Sequence, residues 1–271
     1  MSALGEISPW LRCPVCHQEL HSSDHQMACV SRHSFDIARQ GYINLLGQAA
    51  PANADTALMV AARDRFLTAG HYQPITDAVA AAVPRARRLV EVGAGTGHHL
   101  AGVLEQLPEA RGLAVDVSVP ACRRAARAHP RLASVVADTW AGLPLRDNSV
   151  DAITCIFAPR NPSEFARVLS DNGVVVVVIP RPDHLLELRE AHGLLNLGED
   201  KKERLLQSTH GHLELVSSTD VSYGLSLSAS DATDLVAMGP NAVHGRPAIA
   251  ATRVAVSVTC VTLTNVGLRS H

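Results

Sequence analysis

Along residues 84–271, apolar and polar positions recur as a repeated unit: a short apolar run, a turn or an acid, then a stretch with helical spacing. The runs 89–92, 112–117, 133–137, 150–157 and 173–179 have the length and β-branched content of strands buried on both faces. Residues 98–107 follow the first run with a helix-like pattern. Strand and helix patterns in alternation predict a mostly parallel sheet with helices on both faces. Later, 185–192 reads as a helix, 199–207 as a polar charged stretch, and 213–218 and 253–263 as strands. The last strand is expected to complete the sheet as an edge hairpin partner. Upstream, residues before Leu11 read as a short lead-in, and 51–56 as a small, polar linker. The segment 63–75 is helical until Gly70-His71-Tyr72 breaks it. The pattern divides the chain into an N-terminal module (1–50), a linker with a helical connection (51–83) and an α/β domain (84–271).

The first strand runs into Val92-Gly93-Ala94-Gly95-Thr96-Gly97, with Glu91 two residues before the first glycine. Glycines at alternate positions let a backbone turn tightly and approach a ligand closely. The spacing G-x-G-x-G departs from the G-x-G-x-x-G of dinucleotide-binding loops. It is similar to motif I of S-adenosylmethionine (SAM) methyltransferases, whose loop faces the methionine part of the cofactor. The second strand ends at Asp116, placed to accept hydrogen bonds from both ribose hydroxyls, or else to cap the next helix. Ser118 offers an alternative cap that leaves Asp116 free. The third strand ends at Asp138-Thr139, with Asp138 placed to accept from an adenine amino group. The run LPLRDNSVDAITCIFAP…FARVLSDNGVVVVVIP resembles the middle of a class I SAM methyltransferase. The expected fold is therefore α/β, Rossmann-like, with a small N-terminal zinc-binding domain.

That small domain rests on Cys13, Cys16, Cys29 and His33, spaced C-x2-C-x12-C-x3-H. Three thiolates and one imidazole make a closed tetrahedral zinc shell, which reads as one structural Zn2+. His17, His21 and His25 are alternative fourth ligands; His33 repeats the short-knuckle spacing. The other reading is a redox C-x-x-C pair, but no βα unit surrounds it.

Composition narrows the partners. The formal net charge is -2 and the pI about 6.7, not the strongly basic signature of a general nucleic-acid binder. Any RNA contact has to come from local clusters. Arg123, Arg124, Arg127 and Arg131 read as a solvated helix face rather than a site. With 6 cysteines, three of them scattered, a reduced cytoplasmic setting is expected. No signal-like N-terminus and no apolar run of about 18 residues is visible, so no membrane span is expected.

The string CPVC…C…HSFDIARQGYINLL, followed by RDRFLTAGHYQPI, the SAM-binding pattern and MGPNAVH, resembles the RlmA/TlrB type of ribosomal RNA methyltransferases over nearly the whole chain. The resemblance implies methylation of guanine N1 in a 23S rRNA hairpin near the peptide exit tunnel, and a homodimer. Within the family the sequence looks closer to the branch with macrolide-producer members, which implies a part in macrolide resistance. It also implies that the turn at Tyr72 lines the SAM entrance or the cleft, and that residues 238–244 form a lid over the target base. The expected cofactor contacts are Glu91, Gly93, Gly95, Thr96, Gly97, His98, Asp116, Asp138, Thr139 and Tyr72. Guanine N1 must lose a proton; candidates near the base are Phe157, as a stacking ring or a core residue, His244, and the carbonyls of 157–159. Ile156-Phe157-Ala158-Pro159 lacks the (N/D)-P-P-(Y/F) pattern of exocyclic-amine methylation, and no cysteine-nucleophile motif is evident. Two other readings share parts of the pattern: a small-molecule SAM methyltransferase, and a non-catalytic zinc-dependent RNA-binding protein. If the module selects RNA, a chain beginning near Thr56 is expected to keep SAM binding and lose rRNA methylation, and Arg39 is the best-placed module cation for a phosphate.

Overall fold

The computed structural model describes residues 2–23, 25–193, 198, 200–239 and 249–266. The N-terminal part holds helix α1 (Ala3–Ile7), a 3-10 turn (Ser8–Trp10), and strands β1 (His21–Ser22), β2 (Gln26–Ala28), β3 (Ser34–Asp36) and β4 (Tyr42–Asn44). Helices α2 (Ala57–Thr68) and α3 (Gln73–Ala82) connect it to β5 (Arg88–Val92), α4 (His98–Gln106), β6 (Arg111–Asp116), α5 (Val119–Ala125), β7 (Leu132–Val136) and β8 (Val150–Ile156). The chain continues through α6 (Pro162–Val168), β9 (Leu169–Pro180), α7 (Leu186–His192), α8 (Lys201–Thr209), β10 (Leu213–Leu227), α9 (Ala229–Ala237) and β11 (Thr252–Asn265).

The main sheet has the order β10-β11-β9-β8-β5-β6-β7-β4. Strands β4 to β9 run parallel, and β11 and β10 close it antiparallel. The five central strands begin and end within four residues of the apolar runs. The late pair differs from expectation. β11 is interior, between β9 and β10, and β10 is the edge, 15 residues long rather than the six of the apolar run. Its alternating and exposed pattern carries little apolar signal, so its length comes from pairing with β11 along Leu213–Leu227.

Because side chains alternate across a strand, β5 sends Leu89 to one face and Val90 and Val92 to the other. A parallel sheet needs both faces covered. The Leu89 face is covered by α3 and α4 through Ile75, Val79, Leu100 and Leu104. The Val90 face is covered by α6, α8 and, unexpectedly, the N-terminal module: Leu4, Ile7, Trp10, Leu11 and Ile43 share one core with Val90, Leu113 and Val135. The segment before Leu11 is thus not a lead-in. Its backbone bonds the β7–β8 connection (Arg12 N to Pro144 O, 3.0 Å; Arg146 N to Trp10 O, 2.8 Å), and Glu6 pairs with Arg111. A turn at Gly41 (φ 92°) then delivers β4 to the edge of the main sheet, where Ile43 sits opposite Val135. The zinc-module half and the α/β half meet in one continuous core.

Candidate cofactor cavity and metal cluster

The four module ligands converge because two tight turns present them. After Cys16, His17 adopts φ 60° and its amide bonds Cys13 O; after Cys29, Arg32 adopts φ 65° and its amide bonds Cys29 O. The thiolate and imidazole atoms of Cys13, Cys16, Cys29 and His33 all lie within 4.8 Å of one another. The pairs Cys13–His33, Cys16–Cys29 and Cys29–His33 are 3.6, 3.5 and 3.4 Å apart. A tetrahedron built on Zn–S and Zn–N bonds of about 2.3 and 2.0 Å has edges of about 3.5–3.8 Å, so the donor set fits zinc in both type and size. His33 joins this cluster; His17, His21 and His25 do not.

A second centre is a cavity of about 660 Å³ along the C-terminal ends of β5 to β9, the place where open α/β sheets bind ligands. Its floor is the glycine loop. Glu91 and Asp116 both face it. Burial, with Asp116 nearby, pushes the Glu91 carboxyl up to about 8, and its Oε2 is buried with no hydrogen-bond partner among the described residues. A buried, orphaned carboxylate oxygen suits a ligand that brings positive charge, as the amino and sulfonium groups of SAM do. Asp116 is raised by burial, and it is not free: Oδ2 accepts from Gly95 N and Oδ1 from Ser118 N, each at 2.8 Å. It therefore ties the loop to the strand end while two lone-pair sites remain for a ribose. Ser118 does cap α5, accepting from Ala121 N at 3.2 Å. Asp138 accepts from Trp140 N at 2.9 Å and, with Thr139, lines the wall at the end of β7.

The three loop glycines serve different neighbours. A Cβ on Gly93 would overlap the Ala158 side chain, and one on Gly95 would come 2.9 Å from an Arg63 nitrogen. Gly97 caps α4 at φ 74°, where a Cβ would meet Ala125 at 3.1 Å. Gly93 and Gly95 line the cavity, whereas Thr96, Gly97 and His98 are off its wall. The next residue, His99, is on it: buried, bonded to Thr76 Oγ1 at 2.8 Å through Nδ1, and held down to about 3 by burial, with smaller contributions from His98 and Arg63.

The far wall is made by Tyr72, Phe157, His184, Leu185, Leu188 and Arg189, and Tyr72 is buried there. Phe157 is not core. It is 42% exposed, with φ 54°, a left-handed conformation costly for a bulky side chain, and its ring lies 6.1 Å from Tyr72 and 5.6 Å from His184. Trp140 lines the same opening at 66% exposure. The carbonyls of Ala158 and Pro159 each lie 3.4 Å from Cys155 Sγ. His244 and most of the 238–244 segment lie outside the described residues; Met238 and Gly239 reach the cavity.

Sequence reasoning missed several wall residues. Residues 51–56 are not a bare linker: Pro51, Asn53, Ala54 and Asp55 line the cavity, and Asp55 O accepts from Ser118 Oγ at 2.7 Å. Arg63 pairs with Asp55 and donates to Met238 O at 2.8 Å, joining the strap, α2 and the end of α9. In sequence it stands in the charged run Arg63-Asp64-Arg65, which reads as ordinary helix surface. His184 carries no local signal at all, and for Trp140 the only hint was its scarcity, one of two tryptophans in the chain. Of the stripe read as a solvated face, Arg123, Arg124 and Arg127 are exposed, Arg124 pairing with Asp64; α5 ends at Ala125, however, and Arg131 instead caps α4 through the carbonyls of Leu104, Leu107 and Ala110.

Residues 11–50 match the family model for the RlmA N-terminal zinc ribbon, and residues 89–173 match a methyltransferase domain. A Micromonospora griseorubida protein named for 23S rRNA guanine-N(1) methylation is 46% identical, over 96% of this chain and 95% of the relative. The Streptomyces fradiae 23S rRNA (guanine(748)-N(1))-methyltransferase is also 46% identical, over 91% and 90% of the two chains. Among solved structures, the YcgJ protein of Bacillus subtilis superimposes with TM-score 0.50 at 14% identity, over 72% of this chain and 99% of that one; this likeness concerns the fold alone. Among the described residues, no helix is long and apolar enough to cross a membrane. A ribbon fused to a class I methyltransferase core, shared at this identity over nearly full length, places the chain in the RlmA-type 23S rRNA (guanine-N1-)-methyltransferase family.

Proposed function

We propose that the protein transfers a methyl group from SAM to N1 of one guanine in a folded segment of 23S rRNA. The observation that carries this reading beyond family membership is the opening of the cavity. Two exposed aromatic rings, Trp140 and Phe157, stand over a pocket whose inner end is acidic, and Phe157 keeps a strained backbone to do so. An enzyme acting on a nucleobase has to take that base out of its stack and hold it between aromatic faces.

In this reading Glu91, Gly93 and Gly95 hold the methionine end of the cofactor, Asp116 the ribose, and Asp138 with Thr139 the adenine. Tyr72 closes the wall beside them. SAM, when bound, would supply an activated methyl group, and its transfer to N1 would release the N1 proton to solvent at the cavity opening. The protein needs no covalent residue; it aligns the base, excludes water and favours the deprotonated N1, and positioning of this kind is worth about 7–11 kcal/mol. Cys13, Cys16, Cys29 and His33 hold one structural Zn2+, and the ribbon beside them, with Arg39, meets the RNA backbone. We further propose a cytoplasmic homodimer and, given relatives in Streptomyces and Micromonospora, a role in macrolide resistance.

The deciding experiment offers labelled SAM and the full chain with either deproteinised 23S rRNA or a low-molecular-weight cell extract. Label in rRNA, with a reverse-transcription stop at a single guanine, is expected, because a methyl on N1 blocks the Watson–Crick edge. Label confined to the small-molecule fraction would make this a tailoring methyltransferase. SAM binding with no transfer to either would make it a binding protein.

A further inference from the structure

The turn after β9 contains a histidine whose ring is fixed in one tautomer and lines the cavity beside Phe157. β9 ends at Pro180, opposite Val258 of β11. One residue on, Arg181 N still bonds Ser257 O at 3.0 Å, but Ser257 N finds no strand carbonyl; it donates instead to His184 Nδ1 at 3.2 Å. An imidazole nitrogen has taken the place of a backbone acceptor at the end of a ladder. A nitrogen that accepts an amide hydrogen carries none itself, so in the neutral ring the proton sits on Nε2. The main chain is pinned as well. His184 N donates to Arg181 O at 3.0 Å, and Arg189 Nε donates to His184 O at 3.0 Å.

The ring is buried, and its centroid lies 5.6 Å from Phe157 and 6.4 Å from Tyr72. Among the described residues Nε2 has no hydrogen-bond partner. Burial, the largest effect, acts with Arg189 and Lys201 against a second proton, while Asp183 and the Ser257 backbone favour one; the balance holds the group down to about 4. The strand ends of β5 to β7 present the acids suited to the cofactor, whereas Phe157, which follows β8, and His184 and Leu188, which follow β9, line the rest of the cavity, the part left for the acceptor in this reading.

We infer that His184 is a catalytic hydrogen-bond donor, its Nε2–H aimed at O6 of the target guanine. When N1 gives up its proton, the electron pair spreads onto O6, and a donor already in place there stabilises that charge as an oxyanion-hole group does. The proton itself goes to water, since Nδ1 is engaged by Ser257 and Nε2 already bears hydrogen. The same contact distinguishes guanine, whose O6 accepts, from adenine, whose 6-amino group donates.

This inference rests on the N1-methylation reading, and the test separates the two. His184→Phe keeps ring shape and removes both nitrogens; His184→Gln keeps an N–H close to the Nε2 position. Single-turnover methylation of 23S rRNA is followed against pH, with SAM affinity measured alongside. The Phe variant is expected to lose about 100-fold or more in rate, with SAM affinity unchanged. Its rate should go on rising at pH values where the wild type has levelled. The Gln variant should recover at least about tenfold of that loss. An unimpaired Phe variant, a Gln variant as slow as Phe, or SAM affinity falling in step with rate would overturn the donor role. Should the Phe protein not fold, ring ¹⁵N spectra of the wild type decide, with His184 assigned through the Gln variant. Hydrogen on Nε2 alone, persisting to about pH 4, is expected; hydrogen on Nδ1, or protonation near neutrality, overturns the role. If the wild type makes no N1-methylguanosine, it is the proposed reaction that fails.

Discussion

The metal cluster and the cofactor cavity are built over very different spans of chain. All four ligands of the cluster fall between Cys13 and His33, and two local turns suffice to bring them together. The cavity draws on residues from Pro51 to Gly239, and only the folded sheet makes them neighbours. A site of the first kind is specified by spacing; a site of the second kind is specified by topology. The two are nonetheless coupled, because the ribbon that carries the cluster also covers one face of the sheet that carries the cavity.

The largest test of that coupling removes the ribbon. A chain beginning at Thr56 loses Leu4, Ile7, Trp10, Leu11 and Ile43 from the core, strips β4 from its place beside β7, and deletes the cavity wall at Pro51 and Asp55. The separable-module expectation, in which this chain still binds SAM, therefore does not follow from the structure. A parallel sheet with one face bare is not expected to hold a native fold. Near-ultraviolet circular dichroism and SAM titration on the truncated chain check this. A cooperative fold with unchanged SAM affinity would restore the modular picture.

A milder version keeps the chain and removes the metal. Cys16→Ser takes one ligand from the cluster and is expected to drop bound zinc from about one equivalent to near none. Because Cys13 and Cys29 sit in the same core as Val90 and Leu113, the loss should spread beyond the ribbon. We expect a destabilisation of at least about 3 kcal/mol, roughly 6–12 °C in melting temperature for a domain of this size. Metal analysis and calorimetry on the same sample test it; an unchanged melting temperature without zinc would show the two regions to be independent.

The contrast also explains what was legible in the sequence. The five central strands and the strand-end acids Glu91, Asp116 and Asp138 stood out because apolar runs and an acid at their ends are local patterns. The role of residues 3–10 did not: Leu4, Ile7 and Trp10 form too short a segment for periodicity to register, and their partners in the main sheet, such as Val90 and Leu113, are 80 or more residues away. Arg63 and His184 were invisible for the same reason, since their partners Met238 and Ser257 are brought in by the fold. β10 was underestimated because an exposed strand carries no apolar run.

Within the cavity, the glycine loop offers a test that leaves the ribbon untouched. Gly95 has φ 54°, and a side chain there would come against Arg63. Gly95→Val adds a branched side chain in a conformation that costs about 1–3 kcal/mol and disturbs the amide that Asp116 accepts from. SAM affinity is expected to fall by about 2–3 kcal/mol, with zinc content unchanged. Gly97→Ala is the control. Its Cβ meets Ala125 rather than the cavity, so it should cost stability more than affinity. Equal effects of the two on SAM binding would mean that the loop acts as a unit and that the division between ligand-facing and packing glycines is wrong.

The smallest expected effect is the most specific to the chemistry of the pocket. Burial holds the Glu91 carboxyl up at about 8, so the ligand-free protein keeps a proton there at neutral pH. A carboxyl whose folded value lies above its ordinary 4.5 binds more protons folded than unfolded across that window. Stability of the ligand-free protein should therefore decline as pH rises from about 4.5 towards 8, the reverse of the usual carboxylate contribution, at up to about 1.4 kcal/mol per pH unit from this group. A bound cation favours the ionised form, so SAM binding should expel that proton. Affinity should then rise with pH, by up to about tenfold per unit below 8, and flatten above it. Calorimetry in two buffers of different ionisation heat would count the proton released. Glu91→Gln keeps the shape and removes the titration, so its affinity should be lower and level with pH. His99, held down to about 3, stays neutral throughout and does not contribute to the slope. A wild-type affinity that does not move with pH would take Glu91 out of contact with the cationic end of the ligand. The orphaned Oε2 would then have to be explained by something other than SAM.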